Sequence, residues 1–509
     1  MQALIACWLA MLAGGQAIDT LAAPVNRNPL LPPLAFLTRM AAFTGLYLFW
    51  FGLSWRPLFA LVAALITLSV LQLISNFKYS VLREPLCFTD LFLLPQILIH
   101  PDLYWAGWLH NPWFWSGVAA LFAVIVGWYG WLEPSLVPAG LAGGWLVVLL
   151  PLPLLAGLAL TVGLFLIAPT APMRALYTRL CPDLDQVRDD PRFGLFATLM
   201  IHGIRWFQTA PDTTLAPGEP ANPHWPGPAP IAKPATDAGP PVVIAIQSES
   251  FADLRGHGYG APDLPNVDRL TRDGFAGGPL TVPAEGAWTM RSEFEFLTGQ
   301  PLKSFLFDGL DPYMRAAFAP PQTLAHWFSA CGFETVFVHP FDIRFFQRYK
   351  VFPRFGFDRM LCQDDFEGAE RVGYYIADAA VTKKLGELVA AADRPLFVFV
   401  ATMENHNPWG PGRLDDIHHP AEQYFHHVVN ADAMLGDLDA MLGSRDGRSL
   451  LCFYGDHVPI MPVLANPLPD VRTRYVLNGY GFDAGPRDPG PRTLYGLSRD
   501  LVGMARKLL

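Results

Sequence analysis

In the second half of this 509-residue chain, four short apolar runs each stop at residues able to handle metal or phosphate. Residues 242–246 lead to Ser248 and Glu249, 335–338 to His339, 396–400 to Asn405 and His406, and 450–454 to Asp456 and His457. β-Branched and aromatic runs of this length predict buried strands of a largely parallel sheet. In open α/β sheets, ligands bind just beyond the carboxyl ends of the strands. Strands that deliver Glu, His, His and Asp-His to one edge predict a single divalent-metal and phosphate site, the layout of an enzyme. Helix-like stretches at 377–392 and 423–442 alternate with the strands and predict a sheet covered on both faces.

The first third has a different character. The chain is 52% hydrophobic, and the excess lies in stretches long enough for a bilayer core, which needs about 20 apolar residues. These are 34–53, 58–74, 113–132 and 144–168, with a weaker candidate at 4–18. No Lys or Arg precedes 4–18, so a retained span is expected there rather than a signal sequence. Arg39 is expected to snorkel from the first of the longer stretches. Trp and Tyr bunch at Tyr104, Trp105, Trp108, Trp113 and Trp115, and again at Trp128, Tyr129 and Trp131, as at membrane interfaces.

Five spans with a cytoplasmic N-terminus would put the C-terminal part outside. Lys78, Arg83, Arg174 and Arg179 would then lie outside too, which the positive-inside rule weakly opposes. A net charge of −9 excludes a nucleic-acid partner. The cysteines show no CxxC spacing, and a Cys331–Cys362 disulfide is open on spacing alone. The expected organisation is a transmembrane domain at 1–168, a juxtamembrane helix and Pro-rich linker at 169–241, and a catalytic domain at 242–509. Within the middle part, 193–207 reads as an amphipathic helix on the membrane surface and 211–241 as an extended spacer.

A Pro/Gly-containing loop reaches Thr289, and a helical pattern follows to Leu297. Thr289 reads either as an N-cap or as a nucleophile at a helix N-terminus, where the dipole favours anions; the two are compatible. Asp456-His457 reads as a turn or as a pair of ligands for Zn- or Mn-type ions, with Glu249 supplying a further carboxylate. The pairs His418-His419 and His426-His427 read as surface helix and loop residues.

The pattern of 243–249, then Leu264-Pro265-Asn266-Val267-Asp268-Arg269-Leu270 with Gly274, then Thr289, then Gly455-Asp456-His457 resembles the sulfatase-like branch of the alkaline phosphatase superfamily. More narrowly, Thr289 with Ser292-Glu293-Phe294 and Thr298-Gly299 looks like the lipoteichoic acid synthase and phosphoglycerol transferase I family. Asn76-Phe77-Lys78, Arg83-Glu84-Pro85-Leu86 and Asp90-Leu91 are similar to the segment those enzymes carry between spans. The resemblance implies an α-helical transmembrane N-terminal domain of about five spans and an α/β sulfatase-like catalytic domain with a mixed, mostly parallel sheet.

By motif it implies Glu249, Thr289, Asp456 and His457 as ligands of one divalent ion, Mn2+ before Mg2+, with Thr289 also the nucleophile. His339, Arg348 and His406 are the implied grip on glycerol phosphate. Phe346 stands where lipoteichoic acid synthases place Trp, so the indole donor is lost. The implied reaction moves glycerol phosphate from phosphatidylglycerol to an extracytoplasmic glycan or polyglycerol phosphate chain at a bacterial inner membrane. A phosphodiesterase or a phosphoethanolamine transferase on the same scaffold is the alternative. Thr289-Met290-Arg291 lacks the C/S-x-P-x-R setting of a sulfatase.

Overall fold

The computed structural model describes residues 2–21, 33–93, 99, 111–137, 151–157, 170–181, 186–208, 225–228, 239–465, 468 and 470–508. The chain divides into two compact units, Met1–Ala210 and Pro211–Leu509.

Among the described residues of the first unit, three helices are long and apolar enough to cross a membrane: Gln2–Leu21, Pro33–Ser54 and Pro57–Leu82. They pack on one another through Met11, Phe43, Leu46, Tyr47, Phe51, Ala60 and Ala64. Leu37, Leu53, Leu73 and Phe77 stay exposed on the outside. Apolar side chains facing outward around a packed bundle suit a hydrocarbon surround. The stretch expected at 113–132 forms a 16-residue helix, Pro112–Gly127, followed by a π turn, Trp128–Leu132. The stretch at 144–168 lies outside the described residues except for 151–157.

Arg39 does not snorkel. It is fully buried, its Nε donating to the Phe193 carbonyl at 3.1 Å and its Nη2 to those of Pro191 and Arg192 at 3.3 and 3.2 Å. It thus caps the carbonyl end of the Gln186–Phe193 helix, where a cation also suits the helix dipole. The helix expected on the membrane surface forms as Leu195–Gln208, but Ala197, Thr198, Ile201, His202 and Ile204 are buried in the first unit. Lys78 is held by Asp90 at 2.7 Å and Glu84 at 3.1 Å.

The second unit is built on a mixed sheet. Its strands are β1 (Val242–Ser248), β2 (Ala276–Thr281), β3 (Glu334–Val338), β4 (Arg359–Leu361), β7 (Leu396–Ala401), β8 (Ser449–Gly455), β9 (Thr473–Tyr480) and β10 (Arg492–Thr493); a separate hairpin pairs β5 (Arg371–Val372) with β6 (Tyr375–Ile376). The order is β10-β2-β9-β8-β1-β7-β3-β4. β1 runs parallel to β7 and β8, and β3 parallel to β7 and β4. β9 is antiparallel to both neighbours, β2 and β8. β1, β7 and β8 are buried along their whole length, as strands covered on both faces must be. Helices Asp378–Ala391 and Pro420–Gly443 form close to where the sequence places them and contribute Leu385, Leu435 and Leu438 to the core.

The 211–241 segment is not spacer throughout. Trp225 is buried, and the Trp327 indole donates to the Pro226 carbonyl at 2.8 Å, so this short stretch is pinned to the second unit.

At the end of β8 the backbone approaches the turn after β1 too closely for any side chain: a Cβ on Gly455 would meet the Phe251 carbonyl oxygen at 1.9 Å. Gly455→Ala is therefore expected to destabilise the second unit by about 3 kcal/mol, read by denaturant unfolding, while Gly503→Ala, which meets nothing within 4 Å, should leave the midpoint unchanged.

Candidate active site

The parallel pairing of β7, β1 and β8 brings their carboxyl ends into register, Gln247 opposite both Ala401 and Tyr454. Glu249 follows β1 directly and Asp456-His457 follow β8, so both carboxylates leave the sheet side by side. Glu249, Asp456 and His457 are each at most 2% exposed, and one ligand atom from each lies within 4.8 Å of the others.

Their hydrogen bonds fix which atoms face inward. Asp456 Oδ1 accepts from the backbone N–H groups of Ser250 at 2.8 Å and His457 at 2.9 Å. Its Oδ2 is buried without a hydrogen bond and lies 3.4 Å from His457 Nε2. Glu249 Oε1 accepts from the Ser250 hydroxyl at 2.8 Å and is 3.4 Å from the same Nε2. His457 Nδ1 faces the Val458 carbonyl at 3.3 Å and must donate to it, so in the neutral ring the Nε2 lone pair points at two carboxylates. That arrangement calls for a cation, either a proton or a metal ion. Without a metal, burial and the Glu249 charge push Asp456 up, while the Asp456 and Glu249 carboxylates outweigh burial and lift His457 to about 9. A mixed carboxylate and imidazole set fits a divalent ion.

Thr289 is not the helix cap. Trp288, in left-handed backbone at φ 67, takes that position, and Thr289 opens the buried helix Thr289–Thr298. The Thr289 hydroxyl donates to Glu249 Oε2 at 3.3 Å. The loop before it is tied down where Gly286 N–H donates to the Val458 carbonyl at 2.9 Å, and Ser292 Oγ donates to the Asp456 carbonyl at 2.7 Å. Hydroxyl, two carboxylates and imidazole therefore converge at one edge of the sheet.

The three remaining residues gather beside them. His339 follows β3, its Nδ1 donating to the Ala401 carbonyl at 2.9 Å and its Nε2 accepting from Arg348 Nη1 at 3.3 Å. Burial and the Arg348 charge hold its pKa well below the usual histidine range, so the ring is neutral. The bidentate grip expected of Arg348 on phosphate is taken by Glu293, to which Nη2 and Nε both donate; the Tyr313 hydroxyl donates to the same carboxylate. Phe346 sits with its ring centroid 5.1 Å from the Arg348 guanidinium carbon. His406 Nδ1 donates to the Asn407 carbonyl at 2.8 Å, which leaves Nε2 as the acceptor, and burial lowers its pKa.

Glu293, Tyr313, Ser250 and Thr402, whose hydroxyl accepts the Glu249 N–H at 3.0 Å, carry structural roles that sequence reading did not assign. The one signal in the sequence is the spacing of Glu293 four residues after Thr289, which puts it one turn along the same helix face. His427 is not a surface residue: it is fully buried and its Nδ1 lies 2.9 Å from Glu404 Oε1, whereas His418 and His419 are exposed. Among the described residues no disulfide forms, between Cys331 and Cys362 or elsewhere.

Residues 241–489 match the sulfatase family model. The chain is also 32% identical over 452 residues to the capsular polysaccharide biosynthesis protein RkpI of Rhizobium meliloti, covering 87% of this chain and 81% of that protein. This chain belongs to the sulfatase family. A putative cyclic β-1,2-glucan modification protein of Rhizobium meliloti is similar to this sulfatase-family chain at 29% identity, over 51% of this chain and 41% of that protein. Among solved structures, the phosphoglycerol transferase GacH of Streptococcus pyogenes in complex with sn-glycerol-1-phosphate is similar at 20% identity and a TM-score of 0.43, over 53% of this chain and 79% of that one. The phosphoethanolamine transferase EptA of Neisseria meningitidis is similar at 12% identity and a TM-score of 0.47, over 92% and 88%. Alkaline phosphatase superfamily relatives are phosphotransferases or hydrolases and bind a divalent metal.

Two predictions follow from the geometry of this sulfatase-family site. A metal ion entering it must displace the proton on His457 and, below about 7, the one on Asp456 as well, so Mn2+ affinity is expected to climb steeply up to about pH 7, by about tenfold per pH unit from there, and to level off above about 9. Isothermal titration of Mn2+ over a pH series reads this, and a flat profile would contradict it. Glu293→Gln, by stranding the buried Arg348 charge, is expected to cost about 3 kcal/mol of stability. In a double-mutant cycle with Arg348→Gln, the two losses should fall short of additive by more than about 1 kcal/mol.

Proposed function

We propose that the chain is a membrane-anchored phosphoglycerol transferase that moves glycerol phosphate from phosphatidylglycerol to an extracytoplasmic glycan. The observation that carries this reading is the Thr289 hydroxyl, 3.3 Å from Glu249 at the start of a buried helix and beside Asp456 and His457. The motif around Thr289 supports glycerol phosphate as the transferred group. Similarity to a capsular polysaccharide biosynthesis protein and to a putative glucan modification protein supports a glycan as the acceptor over a polyglycerol phosphate chain.

Glu249, Thr289, Asp456 and His457 would hold one divalent ion, Mn2+ or Mg2+, which favours the Thr289 alkoxide and neutralises charge on the phosphoryl oxygens. In the first half, the Thr289 Oγ1–phosphorus bond forms as the bond to diacylglycerol breaks, and the proton lost by the Thr289 hydroxyl is balanced by the one that the diacylglycerol oxygen takes up as it leaves. The Thr289–Thr298 helix presents its N-terminus to the phosphate, where the dipole favours an anion. Arg348, locked by Glu293, offers a fixed positive field and not a mobile fork. In the second half, a glycan hydroxyl attacks phosphorus from the vacated side and frees Thr289. His406 Nε2, neutral because burial lowers its pKa, would take the hydroxyl proton, and the departing Thr289 oxygen takes one up in exchange.

The apolar helices of the first unit would keep the catalytic unit close to its lipid donor at the inner membrane, raising the effective substrate concentration. An extracytoplasmic catalytic unit follows from the exported acceptor, and reporter fusions placed after residue 211 should map outside the cytoplasm.

Purified protein given phosphatidylglycerol labelled in its headgroup, with and without glycans, tests the reading. Label is expected on the glycan and on Thr289 by mass spectrometry. Thr289→Ala should lower transfer by about three orders of magnitude or more. Label appearing only in free glycerol phosphate would assign a phosphodiesterase instead, and no release of diacylglycerol would remove phosphatidylglycerol as donor.

A further inference from the structure

A second cluster of metal-ligating side chains lies in the first unit and has no part in the proposed transfer. Cys181 stands at the end of the helix Ala171–Leu180, Asp189 belongs to the helix Gln186–Phe193, and His202 to the helix Leu195–Gln208. All three side chains are fully buried. One thiol sulfur, one carboxylate oxygen and one imidazole nitrogen lie within 4.8 Å of one another.

The carboxylate is oriented for this task. Asp189 Oδ1 accepts from Arg188 Nε at 3.1 Å and Nη2 at 3.0 Å, and from Arg192 Nη1 at 3.4 Å. Oδ2 therefore faces inward, 3.0 Å from His202 Nε2. The Thr198 hydroxyl donates to the Asp189 carbonyl at 3.3 Å, and Arg39 holds the carbonyls that end the same helix. Outer partners that fix a ligand's orientation are a regular feature of metal sites. Spacings of this size match a cation with sulfur at about 2.3 Å and nitrogen or oxygen at about 2.0–2.2 Å.

We propose that Cys181, Asp189 and His202 form a structural site for a zinc-class divalent cation that clips together the helices Ala171–Leu180, Gln186–Phe193 and Leu195–Gln208. Sulfur and imidazole nitrogen select a borderline-soft ion over Mg2+ or Ca2+. On binding, the Cys181 sulfur–hydrogen bond breaks, a metal–sulfur bond forms and one proton is released. The thiolate and the Asp189 carboxylate then neutralise the ion, while the two guanidiniums stay on Oδ1, turned away from it. A water completes four-coordination. The inference does not rest on the transferase reading, because these residues share no atom with that site.

Cobalt(II) titration of the metal-free full-length protein in detergent tests the proposal. Thiolate-to-cobalt charge transfer absorbs in the near ultraviolet, and the ligands proposed for the catalytic site contain no sulfur, so a band that depends on Cys181 among the six free cysteines reports this site. The expected result is a band that saturates at about one cobalt per chain, is displaced by zinc, persists in Asp456→Asn and disappears in Cys181→Ser. Should Cys181→Ser fail to fold, His202→Gln is expected to weaken cobalt binding at the band at least tenfold. No band in the unaltered protein, or a band that survives in folded Cys181→Ser, overturns the proposal.

Discussion

A neutral imidazole whose lone pair faces two buried carboxylates is unstable by itself, and the catalytic unit is organised around that point. Glu249, Asp456 and His457 are removed from water, so their repulsion is not screened as it would be on a surface. The protein relieves it in part: Asp456 Oδ1 and Glu249 Oε1 are satisfied by backbone and hydroxyl donors. What remains, Asp456 Oδ2 and His457 Nε2, is the portion only a cation can satisfy. The sheet can carry this local cost because β1, β7 and β8 are packed throughout with Val, Ile, Leu and Phe side chains.

The same sheet explains why the groups meet at all. Parallel neighbours end at the same edge, so residues more than two hundred positions apart, such as Ser250 and Asp456, become hydrogen-bonded through pairing alone. Gly455 lets the turn after β8 press against Phe251, bringing Asp456 beneath the Ser250 N–H. The helix carrying Thr289 is anchored to the same turn through Ser292, so the hydroxyl, the two carboxylates and the imidazole share one frame. Preorganised charges of this kind need no rearrangement during reaction.

Much of this was legible in the sequence because the decisive strands are continuous apolar runs ending in polar residues. β1, β3, β7 and β8 form within two residues of the expected boundaries. β9 escaped notice because Arg474, Asn478 and Gly479 interrupt its apolar pattern, although it lies between β8 and β2. Arg39 and His427 were misplaced for one shared reason. A charged or polar residue reads as exposed unless its partner is known, and the partners, the carbonyls of residues 191–193 and the Glu404 carboxylate, are distant in sequence or follow no local spacing rule.

The Arg348 result carries the same lesson into the chemistry. A guanidinium near a phosphate site is easily read as a direct clamp, yet here its two strongest hydrogen bonds go to Glu293 and a third holds His339 Nε2. A fully buried arginine needs such a counter-ion, because an uncompensated charge would cost more than any substrate contact could return. With Tyr313 closing the same carboxylate, the cluster is a fixed electrostatic wall. It sets the tautomer of His339, keeps that ring neutral, and leaves His406 as the ring with an acceptor nitrogen not engaged by Arg348. Selectivity for a transferred group would then arise from the shape and field of this wall and from Phe346 beside it, with little adjustment by the arginine itself.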